Sequence, residues 1–133
     1  MKKLIVLVAA VLVALTCPGS GPGEEQKDLK EMMQRKLKFA QKVLEGVAIK
    51  DFDLIVTNAD ELVQVSKEAQ WRVLKTPEYD RFSNDFRRNA ELLIRQAKDR
   101  NLDGAALAYV DLTLNCVKCH KYVREVRMTR LDR

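Results

Sequence analysis

The sequence predicts an all-α fold, an antiparallel four-helix bundle. Apolar residues recur at three- and four-residue spacing in four successive segments, which is the pattern of amphipathic helices. Aromatic residues make up only 6% of the 133 residues and glycine occurs five times, a composition that favours helices over sheet. No stretch shows a sustained alternation of apolar and polar residues. Four helices of roughly 20 residues with short connections are typical of such a bundle.

The N-terminal segment predicts an export signal over residues 1–16. Two lysines precede an unbroken apolar run from Leu4 to Leu15, which suits a signal peptide but is short for a bilayer span. An uncleaved membrane anchor is the alternative. Cleavage after Thr16 would leave Cys17 as the first mature residue. Lipidation of this cysteine stays open, although a lipoprotein signal usually has leucine where this chain has alanine, three residues before it.

Residues 17–24 predict a flexible linker, and residues 25–133 the folded domain. The stretch CPGSGPG is rich in glycine and proline, which block regular structure. Two of the 24 Lys and Arg residues and none of the 19 acidic residues lie in residues 1–23, which leaves a net charge of +3. So small a charge without a recognition motif argues against a nucleic-acid partner. We expect an exported, periplasmic protein, with a membrane tether through the N-terminus as the alternative.

The first helix is predicted from about Glu25 to Gly46 or slightly beyond. The second is predicted to begin after a cap at Asp51 and to end soon after Trp71. On the first helix, the predicted core-facing residues are Leu29, Met33, Leu37, Ala40, Leu44 and Val47, widened by Met32, Phe39 and Val43. On the second they are Phe52, Ile55, Val56, Ala59, Leu62, Val63, Ser66 and Ala69.

The third helix is predicted to begin at Pro77, because proline disfavours a helical residue before it but fits a first turn well. The stretch DRNLDG then separates it from the fourth helix. The predicted core faces are Tyr79, Phe82, Phe86, Ala90, Leu93 and Ala97 on the third helix, and Ala105, Ala106, Tyr109, Val110, Leu112, Thr113, Cys116, His120 and Val123 on the fourth.

The stretch CVKCH on the fourth helix contains two of the three cysteines and the only histidine. C-x-x-C-H is the attachment signature of c-type haem. The two thiols form thioether bonds with the two vinyl groups on one edge of the porphyrin, and the adjacent imidazole becomes the proximal iron ligand. On a helix, Cys116, Cys119 and His120 stand at positions i, i+3 and i+4 and share a face. Export agrees with this interpretation, since bacteria attach haem covalently outside the cytoplasm.

Two other chemistries compete for these residues. A disulfide between Cys116 and Cys119 is awkward in the middle of a helix, and no βαβ pattern indicates a thioredoxin-like redox fold. A structural zinc site needs four ligands, and only Cys17, at the far end of the chain, could join Cys116, Cys119 and His120. The motif therefore favours one covalently bound haem c per chain.

The motif on the last helix of a four-helix bundle resembles the class II c-type cytochromes, the cytochrome c′ and cytochrome c-556 family. The resemblance covers the architecture of residues 25–127, but only CVKCHKYVR matches at the level of a motif. Arg124 matches the arginine that follows the family's haem histidine by four residues, and this implies a position near the proximal haem face. Val123 replaces the usual aromatic residue, and Tyr122 stands one position early. A solvated cation at the helix end is an equal alternative for Arg124.

The resemblance implies that the first helix supplies the group facing the iron on the distal side. A methionine there gives six-coordinate iron suited to electron transfer, whereas an apolar residue leaves an open site for small gases. Met33 is the candidate sixth ligand because Leu29 and Leu37 flank it on its face; Met32, followed by Lys36, is the alternative. Both methionines could instead be core filler. Thr113, before the haem motif, is a candidate pocket residue.

Two functions therefore compete. The first is an electron carrier that docks transiently with other exported redox proteins, and the second is a five-coordinate haem protein that binds NO or CO. We expect no enzymatic activity, because the single histidine is assigned to iron and none remains for acid–base catalysis. The resemblance leaves a homodimer open, which in this family would use the first two helices.

Overall fold

The described part of the chain is helical. The computed structural model describes residues 22–68 and 74–131, which form α1 (Pro22–Ile49), α2 (Phe52–Lys67), α3 (Pro77–Lys98) and α4 (Leu102–Leu131). Within these two ranges there is no strand. The all-α prediction and its four helices are confirmed. The predicted signal, the linker as far as residue 21 and Trp71 lie outside the described residues.

Local capping sets where α2 and α3 begin. The Asp51 side chain accepts a hydrogen bond from the backbone N–H of Leu54 at 2.9 Å, as the predicted cap requires. At the start of α3, the Thr76 hydroxyl accepts one from the N–H of Tyr79 at 3.2 Å, and Pro77 occupies the first turn. The chain therefore turns where short polar side chains satisfy the free N–H groups of the next helix.

Two predicted boundaries are wrong by several residues. The first helix begins at Pro22, inside the stretch 17–24 that was predicted as linker, because proline fits the first turn of a helix. The second helix ends at Lys67 instead of near Trp71. There the backbone of Glu68 turns extended, with φ −59° and ψ 135°, while its N–H still bonds the carbonyl of Val65.

The core lies mainly between α2, α3 and α4, with one side of α1 closing it. Ile55, Leu62 and Leu93 are completely or almost completely buried. A smaller cluster joins Met32 of α1 to Val65 of α2. The main cluster consists of Val43, Phe52, Ile55, Ala59, Leu62, Val63, Phe86, Ala90, Leu93, Ala97, Ala105, Ala108 and Leu112.

The core face predicted for α1 is wrong at two positions. Leu37 and Leu44, which the apolar spacing assigns to the core, are 59% and 50% exposed. Met32 and Val43, at the edge of the predicted face, are buried as expected, and Lys36, outside that face, is buried too. The helix is therefore rotated from the predicted orientation, so that a lysine replaces a leucine at the interior.

Gly46 lets α1 and α2 approach closely. A Cβ atom at this position would lie 2.8 Å from Cγ1 of Ile55 and 3.0 Å from the carbonyl oxygen of Asp51. Ile55 is itself completely buried, so neither neighbour moves away cheaply. The missing side chain at Gly46 thus fixes the contact between these two helices.

Substituting Gly46 with alanine is expected to lower the free energy of unfolding by about 1–3 kcal/mol, because overpacking at the helix contact outweighs the better helix propensity of alanine. Urea unfolding followed by circular dichroism measures this change. Gly23→Ala is the matched control, since no atom lies within 4 Å of its added Cβ. There we expect no loss, and a Gly46→Ala variant as stable as Gly23→Ala would contradict the close packing.

Candidate functional site

A cleft opens between α1 and α4. The helix pairs α1–α2, α2–α3 and α3–α4 pack extensively, whereas α1 and α4 make few direct contacts. The cleft contains about 730 Å³ of space free of protein atoms, a volume that includes solvent at its open side. Its lining is largely apolar and consists of Met33, Lys36, Leu37, Ala40, Leu62, Phe82, Ser83, Phe86, Tyr109, Leu112, Thr113, Asn115, Cys116, Cys119 and His120.

The C-x-x-C-H motif forms part of the α4 wall of this cleft. Cys116, Cys119 and His120 all line it, so the structure brings the three predicted residues together on one side of the helix. Both thiols are free and partly buried. A second groove of about 630 Å³ continues past His120, and it shares Cys119, His120 and Met33 with the first. The histidine therefore lines two adjoining spaces.

The structure separates the two candidate methionines. Met33 lines both the cleft and the adjoining groove, on the α1 side and opposite the haem motif. Met32 is 2% exposed and packs against Val65 in the smaller core cluster. Of the two methionines, Met33 is therefore the one that shares the cleft and the groove with His120. Leu37 lines the cleft and Leu29 the groove, so both flank Met33 as the sequence predicts, although Leu37 is largely exposed and Lys36 is buried.

Lys36 is the residue that sequence reasoning missed. Only 8% of its surface is exposed, it lines the cleft, and its Nζ lies 3.4 Å from the ring centroid of Phe86. Burial lowers the pKa of Lys36 to about 7, with a smaller contribution from Arg87, while Cys116 and Cys119 act in the opposite direction. The sequence signal for its position is its spacing: Lys36 follows Met32 and Met33 by four and three residues and so lies on the same side of the helix.

Burial also sets the protonation of the motif itself. It raises the pKa of the Cys116 and Cys119 thiols, although the nearby ammonium of Lys36 partly offsets this. For His120, partial burial lowers the pKa, and the positive charges of Arg124 and Lys36 lower it further. A lowered pKa favours the neutral imidazole, which is the form that binds a metal.

The remaining predicted pocket residues lie at the edges of this site. Thr113 lines the cleft, and its hydroxyl donates a hydrogen bond to the carbonyl of Tyr109 at 2.9 Å. Arg124 is exposed and lines the groove beside His120. Tyr122 instead faces α3, where its hydroxyl lies 2.8 Å from that of Thr76 and its ring centroid 5.7 Å from that of Phe82.

The donor set fits a c-type haem. Two free thiols spaced by three positions and a neighbouring imidazole stand on the wall of an apolar cleft, and a thioether faces them from α1. Thiols, imidazole and thioether are the groups by which haem c is held. Among the residues of 22–68 and 74–131, no three His, Cys, Asp or Glu side chains gather as a metal-binding cluster.

Comparison with known proteins finds no match to this chain among protein-family models, curated proteins or solved structures. Within the described residues, no helix has the length and apolar character needed to cross a membrane.

Proposed function

We propose that this protein is an exported c-type cytochrome that carries one covalent haem on α4 and transfers single electrons between other exported redox proteins. The observation that supports this most directly is the C-x-x-C-H motif on the wall of an apolar cleft, with Met33 on the opposite wall. Bound there, haem c supplies a one-electron couple between ferric and ferrous iron.

Each residue has a distinct task in this proposal. The Cys116 and Cys119 thiols would hold the haem covalently: each sulfur would bond to one carbon of a vinyl group, and the thiol proton would go to the other carbon of that group. His120 would hold the iron through its neutral imidazole, and Met33 would hold it through its thioether sulfur. A methionine–histidine pair raises the reduction potential and suits an electron carrier.

The cleft supports the remaining requirements of electron transfer. Its apolar walls exclude water from the centre of a bound cofactor, while its open side leaves an edge accessible to a partner. Thr113 and Arg124 border the site, and we assign Arg124 to the proximal side because it lines the groove next to His120. Partners that dock briefly need only a small contact surface around such an edge.

Haem attachment tests the proposal. We expect the chain, exported in a bacterium that matures c-type cytochromes, to retain haem after denaturing electrophoresis and to show a c-type pyridine haemochrome spectrum. The variant with both Cys116→Ala and Cys119→Ala is the control, and it should lose all covalent haem while keeping its helical circular dichroism. A wild-type chain that matures without haem would contradict the assignment.

The gas-binding alternative has one supporting observation. Leu37 also lines the cleft, one turn from Met33, and would leave the iron open if it faced the metal in place of the sulfur. A ferrous spectrum that shifts on addition of carbon monoxide would favour this alternative. A spectrum that is indifferent to carbon monoxide would favour the electron carrier.

A further inference from the structure

Helix α4 has apolar residues on two opposite faces. Its inward face contributes Ala105, Ala108 and Leu112 to the core, all of them buried. On the far side, four large apolar residues are between 47% and 69% exposed: Leu107, Val110, Leu114 and Val117, here called the outer stripe. A helix that is apolar on both faces is usually one that is covered on both faces.

The spacing of the outer stripe is that of a coiled coil. Its residues follow one another by three, four and three positions, as the a and d residues of a heptad do. Asp103 precedes Leu107 by four positions and Lys121 follows Val117 by four, so both lie on the same line of the helix. The stripe thus has an acidic end and a basic end.

These end charges select one orientation for a second copy. If two α4 helices pack antiparallel about a two-fold axis between Val110 and Leu114, each Leu107 meets the other copy's Val117. Each Asp103 then meets the Lys121 of the other copy. A parallel pairing in register would instead place each charge against its own like, which is destabilising. Lys121 lies 3.9 Å from Glu125 within its own chain, but both side chains are largely exposed and this pair is weak.

We propose that the outer stripe is the interface of an antiparallel homodimer in which the α4 helices of two copies pack against each other. This inference does not depend on haem. Cys116 and Cys119 point to the inward side of α4 and line the cleft, so the dimer leaves the cleft accessible. The proposed α4 interface also differs from the dimer interface of the class II c-type cytochromes, which the sequence resembles and which use the first two helices.

Sedimentation of the purified mature protein over a range of concentrations tests the interface. We expect the wild type to associate reversibly to a dimer, and Leu114→Glu to raise the dissociation constant at least tenfold because two charges enter each interface. Leu44→Glu is the matched control, since Leu44 on α1 is 50% exposed and Leu114 is 47% exposed. Circular dichroism verifies that each variant folds.

Carbodiimide cross-linking tests the orientation, because it joins a carboxylate to an amine in direct contact. Within one α4 helix, Asp103 and Lys121 are about 27 Å apart, so a bond between them must join two copies. Reversing both charges, with Asp103→Lys and Lys121→Asp, should keep the dimer that either single reversal weakens.

Four results would overturn the proposal. Two concern the wild type: a protein that is monomeric at all concentrations, or a monomer that uses the outer stripe to bind phospholipid vesicles. The other two concern the dimer: one that Leu44→Glu disrupts and Leu114→Glu does not, or one without the Asp103–Lys121 cross-link.

Discussion

Under the proposed function, replacing Met33 with alanine is expected to convert the haem-loaded protein from six-coordinate, low-spin iron to an open iron that binds carbon monoxide. Met33 is the methionine that lines the cleft opposite the haem motif, and alanine has no group that could replace its sulfur. We expect the reduction potential to fall by on the order of 100 mV, because the thioether ligand favours ferrous iron. Optical spectra with and without carbon monoxide, together with a redox titration, measure both effects.

Met32→Ala is the matched control for this prediction. It removes the same side chain one position earlier, but from the buried cluster with Val65. We expect an unchanged spectrum and a loss of about 2–4 kcal/mol in the free energy of unfolding, since a cavity remains. If Met32→Ala opened the iron and Met33→Ala did not, the assignment of the sixth ligand would be reversed.

Replacing Lys36 with methionine is expected to stabilise the haem-free protein at pH 6 by up to about 4 kcal/mol. The folded state holds the pKa of Lys36 at about 7 through burial, compared with about 10.5 in an unfolded chain. At pH 6 the ammonium is charged in both states, so folding must desolvate a cation. Methionine has a similar length and needs no such desolvation.

The same shift determines the direction of the pH dependence. Between pH 7 and 10.5 the unfolded chain binds a proton at Lys36 that the folded chain has released, so the free energy of unfolding rises with pH. The slope approaches about 1.4 kcal/mol per pH unit. Lys36→Met should remove this rise.

Urea unfolding between pH 6 and 8.5 measures the effect. The background is the variant with Cys116→Ala and Cys119→Ala, which prevents haem attachment and thiol ionisation. Lys38→Met replaces an exposed lysine two positions away and should alter neither the stability nor its pH dependence. If the free energy of unfolding varied equally little with pH in the background protein and in its Lys36→Met variant, the burial of a charged lysine would be contradicted.

The sequence predicted the parts of this protein that depend on neighbours along the chain. The helix cap at Asp51 follows from short-range hydrogen bonding, and the helix start at Pro77 follows from backbone sterics. Both appear in the structure. The common face of Cys116, Cys119 and His120 follows from helical spacing alone. These features need no knowledge of which helix packs against which.

The rotation of α1 could only be decided by the tertiary structure. Its apolar spacing predicted that Leu37 and Leu44 face inward, yet both are exposed. In the observed rotation, α2 approaches closely at Gly46 and the Lys36 ammonium lies over the Phe86 ring. That rotation buries Met32 and turns Met33 to the cleft. Met33 therefore lines the cleft beside Leu37, outside the buried core in which the apolar spacing placed both residues.

The surroundings of Tyr122 also depend on residues that are distant in the sequence. Tyr122, one position from where the resembling family has its aromatic residue, packs on α3 through Phe82 and Thr76. A helix presents its side chains in an order that the sequence determines by itself. Which of those side chains meet the core, the cleft or the solvent depends on the helices packed beside it, because burial is a property of the whole bundle.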